Sequence, residues 1–187
     1  MSESHRRKKQ PQLVRRQLVD VAAQLAFERG IGAVTLDAVS EAAGVSKGGL
    51  LHHFPGKVAL LDGLFDRLVD ELDAAIEAAM IVDPLPHGRF TRAYLQVVAD
   101  LKEKPGENRQ WAGLTMALLN EPHLRARWRQ WVDRRAGEYV GTDSSLNAAI
   151  VRFAADGLWL ADMVGSHDLS AETRSALIER LSALTLS

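Results

Sequence analysis

The sequence predicts an all-α protein, with a small N-terminal helix-turn-helix domain and a larger helical bundle behind it. Three observations lead there. Apolar residues recur at three- and four-residue spacing along almost the whole chain, with no strand-like alternation, repeat or low-complexity run. Gly30, Gly44, Pro55-Gly56, Pro84, Pro86, Pro105-Gly106 and Gly165 fall between the periodic stretches, where helices stop. The stretch from Thr35 to Lys57 reads as two very short helices joined by a tight turn.

Pro11 suits the first turn of the opening helix, where its missing N–H has no intrahelical partner to lose. That helix is expected to run to about Arg29, before Gly30, burying Val14, Leu18, Val21 or Ala22, Leu25 and Phe27. Thr35 is placed to cap the next helix, whose stripe is Leu36, Val39, Ala42 and Ala43. Gly44 ends it, because glycine enters the left-handed conformation without steric cost. Ser46 caps a third helix from Lys47 to Phe54, and Pro55-Gly56 ends that one. Helices this short are not stable alone, so their value lies in presenting a surface. Lys47, Gly48, Gly49, His52 and His53 make up that surface. A glycine inside a helix costs roughly 1 kcal/mol relative to alanine, so the Gly48-Gly49 pair needs a reason. Close approach to a DNA major groove, which admits a helix, is one. A loosened helix or packing against a neighbour is the other.

Charge divides unevenly. Residues 1–60 hold nine Lys/Arg (6, 7, 8, 9, 15, 16, 29, 47, 57) against five acids (3, 20, 28, 37, 41). The remainder carries fourteen basic and nineteen acidic residues, so a +4 first third sits on a −5 body. That asymmetry fits a DNA-contacting head on a body that leaves DNA alone. Arg6-Arg7-Lys8-Lys9 reads as a flexible basic arm, residues 1–10, able to order on phosphates.

The strings Ala22-Ala23, Phe27, Gly30 and Thr35, then Ala43-Gly44-Val45-Ser46-Lys47-Gly48, then His53-Phe54-Pro55 and Lys57 with Leu60-Leu61, carry a family likeness. Their order and spacing resemble the DNA-binding domain of TetR-family transcriptional regulators. The resemblance covers the first third of the chain at motif level and rests on length and helical pattern beyond it. It implies a dimer that reads a two-fold operator, with Lys47, Gly48, Gly49 and His52 facing bases. It also implies that Thr35, Ser46, His53 and Lys57 fix the register on phosphates. One departure stands out. Leu51 occupies the position where the family usually has a phosphate-contacting tyrosine, so that contact is absent or moves to His52.

Lys57 opens a long helix to about Met80, with Leu60, Leu61, Leu64, Leu68 and Leu72 on one stripe, which joins head to body. Pro84 and Pro86 break the chain. Further helices are expected over Arg89–Lys102, Trp111–Leu119, from Pro122 to about Val140, from a Ser144 or Ser145 cap to Val164, and over Ser170–Leu184. All four tryptophans lie in this part, with Phe90, Tyr94, Met116, Leu119, Phe153 and Met163 as further apolar and aromatic wall material. Aromatics at helical spacing are usually core, yet this many large rings can also enclose a ligand cavity. The family resemblance implies a small effector here. The lining is expected from Trp111, Met116, Trp131, Phe153 and Trp159, with Asp156 as polar anchor or, equally, on an exposed face or bonded to Arg152. Ile150, Ala154, Leu158 and Ala161, with Leu177, Leu181 and Leu184, form two stripes suited to self-association, where the family places a four-helix dimer interface.

Other classes are poorly supported. Without cysteine there are no disulfides and no thiolate metal sites. His52 and His53 point about 100° apart on a helix, and no zinc-ligand spacing accompanies them. No phosphate loop or nucleophile motif occurs, so neither enzyme activity nor a cofactor is expected. No run approaches a membrane span and the charged N-terminus has no apolar run behind it, so a cytoplasmic protein is the default. The expected organisation is a basic arm (1–10), a helix-turn-helix domain (11–56) and an effector-binding and dimerisation domain (57–187). The expected function is a repressor that leaves its palindromic operator when a small, largely apolar effector binds. A ligand-independent regulator or activator, or a helical protein-binding adaptor, are the alternatives.

Overall fold

The computed structural model describes residues 11–103, 111, 112, 115, 117 and 120–186. Among them there is no strand. The basic arm expected at residues 1–10 lies outside the described residues, as do Met116 and Leu119.

Helix α1 (Pro11–Arg29), α2 (Leu36–Ala42) and α3 (Lys47–His53) form the head. Each boundary has a local cause. The N–H of Ala38 donates to Thr35 Oγ1 at 3.1 Å, and that of Gly49 donates to Ser46 Oγ at 3.1 Å. Gly44, between the two short helices, has φ +66°. A side chain there would force the left-handed region that non-glycine residues avoid. Gln17 of α1 donates to the carbonyl of Ala43 at 2.9 Å, tying the turn to the brace helix. The buried side of α1 is Leu18, Val19, Ala22, Ala23, Leu25 and Ala26. Phe27 was expected in that stripe but is 41% exposed. Two residues past Leu25, it lies about 200° round the helix, on the side away from the buried face.

Helix α4 (Lys57–Val82) carries the head. Leu60, Leu61, Leu64, Leu68 and Leu72 are all buried on it, together with Phe65, Val69 and Ile76. Phe54, which caps α3, is 1% exposed and packs on α4 where Gly63 leaves room. A Cβ on Gly63 would lie 2.7 Å from the Phe54 ring, so only glycine permits this approach. The Arg15 guanidinium sits 4.8 Å from the same ring's centroid.

Behind α4 comes α5 (Arg89–Asp100), packed between α4 and α8 (Leu146–Val164). A 3-10 turn, Leu101–Glu103, prolongs α5, and residues 111, 112, 115, 117 and 120 are helical. Next follow α6 (Pro122–Glu138), the short α7 (Val140–Asp143), then α8 and α9 (Ala171–Leu184). Ser145 and Ser170 cap α8 and α9 through the N–H groups of Ala148 and Thr173. Gly165 ends α8 at φ +66°. The start of α5 uses a different device. Its preceding Gly88 has no side chain to offer, and Asp143 of α7 accepts from the N–H of Thr91 at 2.8 Å instead.

Two ion networks join the elements. Arg174 of α9, 8% exposed, bonds both carboxylate oxygens of Asp162 on α8, at 3.1 and 2.8 Å, and the carbonyl of Ala99 on α5 at 3.0 Å. Arg127 of α6 bonds Asp62 at 2.9 Å and also Asp66 on α4, with its guanidinium 4.5 Å from the Phe65 ring centroid. Farther along α6, Arg135 meets Asp73 at 2.5 Å and Glu138 at 2.8 Å. Burial works against the Arg135 charge, but these carboxylates outweigh it and leave the guanidinium pKa raised.

Candidate nucleic-acid interface and ligand cavities

The exposed surface of the head is α3 and its approaches. Lys47, Gly48, Leu51 and His52 are exposed, and Gly49 and His53 half-buried. Thr35 and Ser46 are exposed caps at the N-termini of α2 and α3. The two glycines of α3 differ. A Cβ on Gly49 would approach Ser46 Oγ at 3.2 Å, so its smallness protects the helix's own cap. A Cβ on Gly48 would meet nothing within 4 Å. Among the described residues, packing inside the chain therefore does not explain Gly48.

The basic groups of this surface are already engaged. Lys47 Nζ lies 2.7 Å from Asp37 on α2, both well exposed. Such a pair contributes little, about 0–1 kcal/mol, so a phosphate can displace Asp37 easily. Lys57 Nζ donates to the carbonyl of Ile31 at 3.4 Å, clasping the start of α4 to the loop before α2. Pro11 and Val14 line one groove of about 440 Å³ with Ser46, Gly49, His52 and His53. The chain thus enters α1 beside α3.

The second site lies in the bundle, as two neighbouring cavities. The inner one, about 150 Å³, is lined by Leu72, Tyr94, Val98, Leu101, Trp111, Thr115, Trp128, Asp156 and Trp159. The outer one, about 200 Å³, is lined by Phe90, Tyr94, Trp131, Val132, Arg135, Ala136, Ala149, Arg152, Phe153 and Asp156. Tyr94 and Asp156 belong to both, and the Tyr94 hydroxyl donates to Asp156 Oδ1 at 2.5 Å. Asp156 is exposed as a residue, but partial desolvation of its carboxyl pushes the pKa up, against the lowering effects of the Tyr94 bond and of Arg152. The Tyr94 phenol is raised well above its usual value, by burial first and by Asp156 second. The rings are held from behind. Trp131 donates its indole N–H to Asp73 at 2.8 Å, Trp159 donates to Thr115 Oγ1 at 3.2 Å, and Trp128 stacks on Trp131 at 4.8 Å.

Of the residues expected to line a pocket, Trp111 and Trp159 border the inner cavity, Trp131 the outer, and Asp156 both. Phe153 differs. It touches the rim of the outer cavity but is 77% exposed, on the outward face of α8. Of the readings open for Asp156, exposure on α8 and a place bordering both cavities hold together, and a bond to Arg152 is not made. Arg152 donates instead to Thr91 Oγ1 at 2.8 Å and to the carbonyl of Asp143 at 3.0 Å. Arg135, Thr115 and Tyr94's pairing with Asp156 were not foreseen in the sequence. Their helices are far apart in the chain, and nothing local marks which faces will meet.

The self-association stripes also shift. Leu158 and Leu181 are buried within the chain's own bundle, and Ala154, Ala161 and Leu184 are half-buried. Ile150 and Leu177 are exposed. The outward apolar face of α8 is Leu146, Ile150, Phe153, Leu160 and Val164, all exposed. Their spacing of four, three, seven and four residues keeps them on one heptad-like seam.

No group of three metal-ligating side chains occurs among the described residues, and no helix among them is long and apolar enough to cross a membrane. Residues 18–64 match the family model "Bacterial regulatory proteins, tetR family", and residues 88–186 match "Tetracyclin repressor-like, C-terminal domain". Over 99 residues the chain is 35% identical to the HTH-type transcriptional regulator TtgR of Pseudomonas putida. That match covers 51% of this chain and 46% of TtgR, so it spans less than half of that relative. The HTH-type transcriptional regulator BetI of Serratia proteamaculans is 26% identical over 176 residues, 92% of this chain and 87% of BetI. A solved TetR-family transcriptional regulator from Rhodococcus sp. superposes with a TM-score of 0.72 at 20% identity, covering 94% of this chain and 100% of that one. The solved structure shares the fold, and the family models take in both the helix-turn-helix and most of the bundle. The chain therefore belongs to the TetR family of DNA-binding transcriptional regulators.

Proposed function

We propose that this chain acts in the cytoplasm as a homodimeric repressor that leaves a palindromic operator when a small, largely apolar effector enters the bundle. The observation that carries this reading is the double cavity walled by aromatic side chains and backed onto α4. Leu72 of α4 lines the inner cavity, and the N-terminal half of the same helix holds Phe54 of the recognition unit. Helix α6 adds a second link. Trp128 and Trp131 face the cavities from it, while Arg127 grips Asp62 and Asp66 near the head. A ligand that moves α6 or α4 would therefore alter how the two heads of a dimer are spaced. It shifts that equilibrium only by its differential affinity for the two arrangements.

On DNA, Lys47, Gly48, Gly49 and His52 would face base edges, while Thr35, Ser46, His53 and Lys57 would hold phosphates. Leu51, 40% exposed, would offer apolar contact in place of a tyrosine hydroxyl. The dimer would close along the outward seam of α8, with Leu177 of α9 beside it. Two recognition helices so related would read half-sites about 34–36 Å apart, or a multiple of that.

Selecting bound duplexes from a random library tests the core of this reading. Enrichment of an inverted repeat is expected. A folded dimer that enriches no sequence would favour a helical protein-binding adaptor instead. With the operator in hand, Trp111→Ala and Trp159→Ala are expected to blunt release by an effector while duplex affinity holds. An unchanged effector response in both would remove these residues from the site. Duplex affinity that no small molecule lowers would leave a ligand-independent regulator or an activator.

A further inference from the structure

The inner cavity has an uneven chemistry. Three indoles, Trp111, Trp128 and Trp159, and the Tyr94 ring make most of its wall, with Leu72, Val98 and Leu101 filling the gaps. Asp156 is the one charged residue among its described lining residues. No lysine, arginine or histidine among the described residues ion-pairs with it, and its hydrogen bond comes from the neutral Tyr94 hydroxyl. Arg152 acts on it only at longer range, since its donated bonds go to Thr91 and Asp143. Arg135, in the outer cavity, is held by Asp73 and Glu138.

We propose that the effector of this protein is a lipophilic organic cation, with an alkylated ammonium group seated in the aromatic box of the inner cavity against the Asp156 carboxylate. The proposal rests on reading the bundle as effector-binding and names the chemical class that it takes. Aromatic faces carry negative potential and attract a cation placed over them, and more strongly where water is excluded. An anion would meet those faces and a carboxylate together, and nothing in the inner cavity's described lining offers it a positive partner. A neutral apolar ligand would fill the space but desolvate Asp156 without pairing it, a cost that selects against it. Asp156 is exposed as a residue, yet desolvation on the cavity side raises its carboxyl pKa, and a cation there would favour the charged form.

The Tyr94–Asp156 bond also bears on ligand length. These two residues are the shared wall between the inner and outer cavities. Each cavity alone is smaller than the roughly 300 Å³ where small-molecule sites begin, and the two joined reach it. A cation that takes the carboxylate from Tyr94 frees that ring to turn and lets an apolar tail pass toward Trp131, Val132 and Phe90.

The full-length protein is titrated by isothermal calorimetry with tetraethylammonium chloride and, separately, with 3-ethylpentan-3-ol, a neutral molecule of similar shape, at constant ionic strength. The cation is expected to bind at least about tenfold more tightly than the alcohol and to change the tryptophan fluorescence. Asp156→Asn, which keeps a hydrogen-bond partner for Tyr94, is expected to reduce that preference to the smaller part the aromatic faces supply. Equal affinities in the wild type, a preference unchanged by Asp156→Asn, or no binding of the cation each overturns the assignment. Repeating the titrations with operator duplex bound separates this from the effector reading. Release of duplex by the alcohol but not by the cation would sink the cation class and leave effector control standing. Cation binding that depends on Asp156, with duplex affinity unchanged, would uphold the cation site and sink its role in release.

Discussion

A methyl group is all that separates glycine from alanine at position 63, yet a Cβ there would press into the Phe54 ring at 2.7 Å. The ring is buried and has no free end to swing away, so Gly63→Ala is expected to lower stability by about 1–3 kcal/mol. It should also tilt α3, because Phe54 closes that helix. Urea denaturation and operator affinity measured together check this, and an unchanged value of both would mean that the ring yields. Lys57 makes a different kind of prediction. Its Nζ clasps the Ile31 carbonyl in the free protein, and on DNA it is expected to turn to a phosphate. Lys57→Ala should weaken binding to all duplexes alike and reduce the salt slope by about one. A loss confined to one base position would reassign it. Asp156 links stability to pH. Its folded pKa lies above the ordinary carboxylate value, so the stability it contributes is present below the unfolded pKa and is lost as pH rises through the folded one. At neutral pH the ionised group is therefore a burden, most of it screened by solvent because the residue is exposed. Asp156→Asn is expected to melt only slightly higher than the wild type at neutral pH, with the gain fading toward about pH 4. A lower melting temperature at neutral pH would mark Asp156 as a structural residue instead. Lys57 and Asp156 were singled out in the sequence, but the role of Gly63 was not. Gly63 stands in the sequence as one glycine inside a leucine-rich helix, and only the fold brings Phe54 over it.

At the scale of elements the sequence was far more legible. Thr35, Ser46, Ser145 and Ser170 cap the helices that follow them, and Gly44 and Gly165 end the helices before them with positive φ. Capping is decided within about four residues, so short-range chemistry suffices to find it. Gly44→Ala is expected to cost about 1–2 kcal/mol, the penalty of a side chain in the left-handed region, measured as a lower midpoint in chemical denaturation. Phe27 was a misread period: it lies two residues past Leu25, about 200° round the helix, and is exposed. Elsewhere the deciding partner was remote. The start of α5 is capped by Asp143 from α7, across some fifty residues of chain. Arg174 carries the same lesson in energetic form. Leucines at 177, 181 and 184 suggested a self-association stripe on α9, and within its own bundle the helix is anchored by a buried guanidinium between Asp162 and Ala99. Arg174→Ala leaves the Asp162 carboxylate, which is 8% exposed, with only Lys102 at 3.7 Å, and is expected to cost up to about 3–5 kcal/mol. A melting temperature close to wild type would show that water replaces the guanidinium.

For the whole molecule, the outward seam of α8 sets the prediction. Phe153 and Leu160, 77% and 51% exposed, lie near the middle of that seam. Phe153→Glu with Leu160→Glu is expected to yield a folded monomer by sedimentation, with operator affinity falling by more than tenfold because one head reads only a half-site. A variant that stays dimeric would move the interface elsewhere. The fold class, the order of the helices and the family all followed from periodicity, punctuation and the strings between Ala22 and Leu61. They did so because helical spacing, caps and turns are written in neighbouring residues. The sequence also placed the tryptophans and Asp156 in the part of the chain that encloses the cavities. It did not show that Tyr94 and Asp156 meet between two cavities, that Arg152 turns away from Asp156, or that Leu158 and Leu181 point inward while Phe153 points out. Those facts depend on the rotation of each helix about its axis against helices distant in sequence. A turn of one residue, about 100°, moves a side chain from core to solvent, and only the packed tertiary structure settles that angle.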